Sequence, residues 1–154
     1  MMTSREQFEA VLADFSAASG IELKLGADNV AMFHRGDVFL TLVYLPESEH
    51  VVAWSTLGFL ADDANAPLRV RLLLEWNDDP EVTNGFSFAL DEQDGRVIAH
   101  DRRSVRFLDN ADKLAVWLEI LADLIVEARE RLDREAPFAD DDLPEPDIEI
   151  VEED

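Results

Sequence analysis

The chain has no cysteine among its 154 residues. That absence excludes disulfides, thiolate metal sites and cysteine nucleophiles, and it suits a reducing compartment. GxSxG, GxGxxG and Walker-type loops are missing too, which removes the usual signatures of a serine hydrolase, a dinucleotide enzyme and an NTPase. The histidines, His34, His50 and His100, are scattered, without HExxH or paired metal spacing. Carboxylates are too abundant to single out a catalytic pair. No cofactor, metal or enzymatic activity is therefore expected. The opening MMTSREQFEAVLADF has neither a basic n-region nor an unbroken apolar run, so no signal peptide is expected. The apolar helix face near Leu114–Leu132 is interrupted by Glu119, Asp123, Glu127 and Arg129. It reads as amphipathic, with no membrane insertion, and the whole as a cytoplasmic protein.

What is present is acid. Thirteen bases stand against 35 acids, a formal charge of −22. Nine of the acids follow Pro137 with no base among them, which leaves −13 on the remainder. Such a field repels nucleic acid and anionic membranes and favours encounter with basic partners. Residues 1–136 are long enough for one core, and 137–154, DDDLPEPDIEIVEED at its end, is expected to be a disordered acidic tail.

Along the body, Thr3 or Ser4 can cap a first helix through Glu6 or Gln7. Phe8, Val11, Leu12 and Phe15 recur at helical spacing, and Gly20 ends the run. Ile21, Leu23 and Leu25 alternate with Glu22 and Lys24, predicting a half-exposed strand. Val30–His34, Val38–Leu45 and Val51–Leu57 follow as strands, so this stretch holds three or four. Arg35-Gly36-Asp37 resembles an adhesive motif, but glycine between polar residues is ordinary hairpin chemistry. Asn65 and Pro67 predict the start of a second helix. Its Leu68, Val70, Leu72, Leu73, Leu74 and Trp76 are apolar around most of the circumference. A helix of that kind needs two surfaces to pack on, the sheet and a second subunit, which predicts a homodimer. Phe86, Phe88 and Leu90 alternate with Ser87 and Ala89 in a further strand. The acidic turn Asp91–Gly95 fails as a calcium loop, since Leu90 stands where the first ligand is required, and reads as a plain hairpin into Val97–Asp101. Asn110 caps a last helix through Leu114, Trp117, Leu118, Leu121, Leu124, Ile125, Ala128 and Leu132.

The resulting α+β order, α-βββ-α-ββ-α with an antiparallel sheet packed against helices, resembles that of class I type III secretion chaperones. Helix one ending at Gly20, Leu73-Leu74…Asn77, the Gly85–Leu90-Asp91…Gly95…Arg102 hairpin, and Trp117 with Leu121 carry the resemblance, over Ser4 to Arg134. It implies a non-catalytic, dimeric binding protein that holds the N-terminal segment of a secreted effector in extended form before export. It places client contacts at Phe8, Phe15, Ile21, Leu23, Leu25, Val30 and Met32, and a dimer interface at Leu72, Leu73, Trp76, Phe86, Phe88 and Leu90. YbjN-like bacterial regulators, which share the layout and the Trp76-Asn77 helix end, are the alternative. That reading implies an interaction module without a secreted client.

Overall fold

The computed structural model describes residues 1–138. The expectation of a disordered tail falls, from residue 139 onward, outside the described residues.

Helix α1 (Ser4–Ser19) starts at a reciprocal capping box. The Thr3 hydroxyl accepts from the Glu6 backbone N–H, and the Glu6 carboxylate accepts from that of Thr3. Gly20 closes the helix at φ 76°, a left-handed conformation that glycine adopts without steric cost. Three strands follow, β1 (Val30–Arg35), β2 (Val38–Leu45) and β3 (His50–Phe59). After helix α2 (Ala66–Asn77) and a single turn, α3 (Pro80–Thr83), come β4 (Ser87–Asp91) and β5 (Arg96–Ser104). A 3₁₀ turn at Val105–Phe107 leads into α4 (Ala111–Glu135), where the Asn110 side chain accepts from the Lys113 N–H at 2.9 Å.

The five strands form one antiparallel sheet in the order β1-β2-β3-β5-β4. Helix α4 lies across one face. Its Leu114, Trp117, Leu118, Leu121 and Ile125 meet Leu40, Leu42, Val51, Ala53 and Ala99, all fully buried. The α1 residues Phe8, Val11, Leu12 and Phe15 complete this core. At a register irregularity between Thr56 and Gly58, Arg129 of α4 donates to the Leu57 and Thr56 carbonyls at 2.9 and 3.0 Å. The helix thereby holds the kink in the strand.

Two local expectations are corrected. Ile21–Leu25 is extended but belongs to no strand. Its backbone finds a partner in a side chain: the Ser16 hydroxyl accepts from Leu23 N–H at 2.9 Å and lies 3.2 Å from the Leu23 carbonyl. The alternation arises because one side of the segment lies on the core. At α2, Asn65 holds the cap position but makes no capping bond; its amide donates to the Pro137 carbonyl at 2.7 Å.

Candidate binding surfaces

Three surfaces arise from this arrangement. The first is the outer edge of β1. Ala31, Phe33 and Arg35 face Leu42, Leu40 and Val38, and the Tyr44 N–H donates to the Asn29 carbonyl. In an antiparallel ladder the alternate residues, Met32 and His34, then direct their backbone groups away from β2. No strand pairs with that edge among the described residues.

The opposite edge, β4, is blocked at Phe88. The Asn77 amide donates to the Phe88 carbonyl at 3.0 Å, and its carbonyl oxygen accepts from the Phe88 N–H at 2.7 Å. One side chain at the end of α2 thus makes, at Phe88, the pair of bonds a neighbouring strand would make.

The second surface is the sheet face away from the helices. Strand alternation sends Val30, Met32 and His34, then Phe39, Thr41 and Val43, to this side. Val52, Trp54 and Thr56 follow on β3, and Arg96, Ile98, His100 and Arg102 on β5. Val52, Trp54, Arg96, Ile98 and His100 line one shallow depression. The Arg96 guanidinium stands 5.4 Å from the Trp54 ring centre, within cation–π range. His34 and Phe39 rings lie 4.6 Å apart. Met32 is 56% exposed and Phe39 39%.

The third is an apolar groove between α2 and β4, lined by Leu60, Val70, Leu73, Leu74, Phe88 and Leu90. Val70, Leu74 and Leu90 are its exposed members. Beside it is a cavity of about 220 Å³ that Arg69, Arg129, Leu132 and Phe138 help to line.

Arg69 was not singled out from the sequence. Its side chain is buried, ion-paired with Asp63, and donates to the Ala136 carbonyl at 2.9 Å. It also lies 4.1 Å from the Phe138 ring centre. The signal was legible: Arg69 precedes Leu72, Leu73 and Trp76 by three, four and seven residues, a base on the buried stripe.

The residues expected to touch a client divide. Phe8, Phe15, Leu23 and Leu25 are core: Phe8 is fully buried, the Phe15 ring lies 6.1 Å from that of Phe33, and Leu23 and Leu25 turn inward. Ile21 is half-buried against that core, Val30 is half-buried, and Met32 is exposed. Of the expected dimer residues, Leu72, Leu73, Trp76, Phe86 and Phe88 are buried within the single chain, and Leu90 is exposed. The apolar surface actually offered there belongs to Val70, Leu74 and Leu90. Among the described residues no cluster of histidines and carboxylates is spaced to hold a metal ion, and no helix is long and apolar enough to cross a membrane.

A bare sheet face, a free strand edge and an apolar groove on a small α+β body define a protein-binding module, and known proteins give it a family. Residues 10–129 match the Tir chaperone protein (CesT) family, and the chain belongs to that family. Among solved structures it is similar to a chain of the HopA1–SchA chaperone–effector complex (TM-score 0.69, 20% identity, 82% of this chain and 96% of that one). A chain of the ExsC–ExsE complex gives 0.65 at 20% identity, over 90% and 99% of the two chains. A chain of the complex of the Yersinia pestis type III secretion chaperone SycH with a stable fragment of YscM2 gives 0.61 at 18%, over 79% and 98%. These likenesses speak for the fold. No curated protein sequence matches the chain. The family match favours the secretion-chaperone resemblance over the YbjN-like one.

Proposed function

We infer that this protein is a non-catalytic type III secretion chaperone, cytoplasmic and homodimeric, which holds the N-terminal segment of an effector in extended form before export. Membership of the CesT family carries the reading, and relatives of the same fold come from complexes described as chaperone–effector. The free edge of β1 supplies the physical means. An extended segment can pair with the outward backbone groups of Met32 and His34, which costs no sequence specificity, and set alternate side chains against Met32, Val30 and Phe39. Client contact therefore belongs to Val30, Met32 and the flank of Ile21, with Phe8, Phe15, Leu23 and Leu25 as the core behind them.

The test is capture of partners from the source bacterium with tagged protein, followed by mapping of the bound stretch. One protein held through a segment near its N-terminus is the expected result. Met32→Asp should weaken that capture while leaving the melting temperature unchanged. Leu23→Asp should unfold the protein, since it buries a charge. Undiminished capture by the Met32 variant would place the client elsewhere.

A further inference from the structure

Residues paired directly across a sheet share a face, so the side turned away from the helices can be read in rows. Met32, Thr41, Trp54, His100 and Ser87 form one row across all five strands. Val30, Val43, Val52 and Arg102 form the next. In a chain of 13 bases and 35 acids, these rows are short of acid. Among the outward strand positions the one carboxylate is Asp91, and it is ion-paired with Arg96 at 3.3 Å. The same positions hold His34, His50 and His100, every histidine of the chain. They also hold Arg102, which is exposed and makes no ion pair among the described residues. Glu47 borders the hollow beside Arg102 without pairing with it.

The cation stands next to apolar surface. Val52, Trp54 and Ile98 line one depression with Arg96 and His100, and Arg102 is the row neighbour of Val52. An acidic segment laid here gains twice, by covering apolar side chains and by bringing an anion to an unpaired guanidinium. A basic segment gains only the first and sets its cation against Arg102. The path from the free edge is short. From β1 to β5 there are three strand spacings, about 14 Å, which four or five extended residues cover.

We propose that the client segment paired with β1 continues across this face, and that the face selects acid. Apolar side chains of the segment rest on Val52, Trp54 and Ile98. A carboxylate about four or five residues beyond the pairing stretch meets Arg102 and the His100 imidazole. The proposal rests on the effector-binding reading and adds the chemistry of the segment held, an acidic one for a protein whose own body is acidic.

Three synthetic peptides test it. They share a first half of alternating valine and threonine, to pair with β1. In the second half leucine alternates with aspartate, with serine or with lysine. Trp54 supplies the readout, because Trp76 and Trp117 are buried. The aspartate peptide should bind about fivefold tighter than the serine peptide, the upper end for a single exposed ion pair, and the lysine peptide should bind weakest. Arg102→Glu, a change at an exposed residue, should leave the melting temperature unchanged and reverse that order. Raising salt from about 0.1 to about 1 M shortens the screening length from about 10 to about 3 Å and should draw the three affinities together. In a Trp54→Phe background the emission change should vanish.

Equal binding by all three peptides, with Met32→Asp still weakening each, would overturn the selection for acid and leave edge pairing standing. Binding by none would overturn the proposal, whereas the effector reading stands or falls on capture from the bacterium. Tightest binding by the lysine peptide, or a response that survives Trp54→Phe, would overturn it as well. Emission that follows protein concentration without peptide would assign the face to a second copy, with the same result.

Discussion

Arg69 is a cation in a place that helical spacing assigns to a leucine. Its guanidinium joins the β3–α2 loop through Asp63, the end of α4 through the Ala136 carbonyl, and the following segment through Pro137 and the Phe138 ring. Burying a charge is costly unless partners surround it, and removing one member of such a pair is costlier than replacing both. Arg69→Met should therefore lower stability by about 3 kcal/mol, measured by chemical denaturation, because the Asp63 carboxylate loses its guanidinium. A variant as stable as the parent would show that the network contributes nothing net. A smaller pattern repeats the theme. Each of the three tryptophans has an arginine over its ring, Arg96 on Trp54, Arg103 on Trp117 and Arg131 on Trp76. Three of the 13 cations of this acid-rich chain are thus engaged by its own tryptophans.

At the scale of elements, the parts legible in the sequence were those with both a periodic apolar pattern and a chemical stop. Helix α1 has its capping box and Gly20; α4 has Asn110 and a buried apolar stripe from Leu114 to Leu132. Ile21–Leu25 misled because alternation reports which side of an extended chain is buried, and says nothing about whether its backbone is paired with another strand. The same ambiguity put Leu23 and Leu25 on the surface. Period-2 spacing marks two faces, and the apolar one is here turned inward. The Ser16 hydroxyl that serves the Leu23 backbone has no signature at all, being one serine in a helix. Ser16→Ala should cost about 1–3 kcal/mol by leaving those groups unmet, and hydrogen exchange at the Leu23 amide should speed up more than elsewhere. The residues expected at a dimer face do not share one exposure. Leu72, Leu73 and Trp76 face inward, and Val70 and Leu74 outward, because a helix that is apolar all round does not disclose its rotation. If a second copy covers the α2–β4 groove, Leu74→Glu with Leu90→Glu should give a monomer mass by light scattering without loss of helicity. An unchanged dimer mass would move the interface off this groove.

For the molecule as a whole, ordered contacts continue past the point where the composition changes. Charge density changes at Pro137, yet Pro137 and Phe138 are held by Asn65 and Arg69. A chain ended after Phe138 should melt where the full chain does, and one ended after Glu135 should melt several degrees lower; equal midpoints for both would show that the clasp is idle. The two edges of the sheet differ in a way that also concerns the whole molecule. A sheet with two open sides can add copies at each and so grow into a fibre. Here the Asn77 amide occupies the outward backbone groups of Phe88 on β4, whereas no side chain does the same for Met32 and His34 on β1 among the described residues. A β1-to-β1 contact between two copies would be self-complementary and complete with two members. An edge that ends in a closed pair of copies is satisfied at two members, where an edge free on both sides of the sheet would go on adding them.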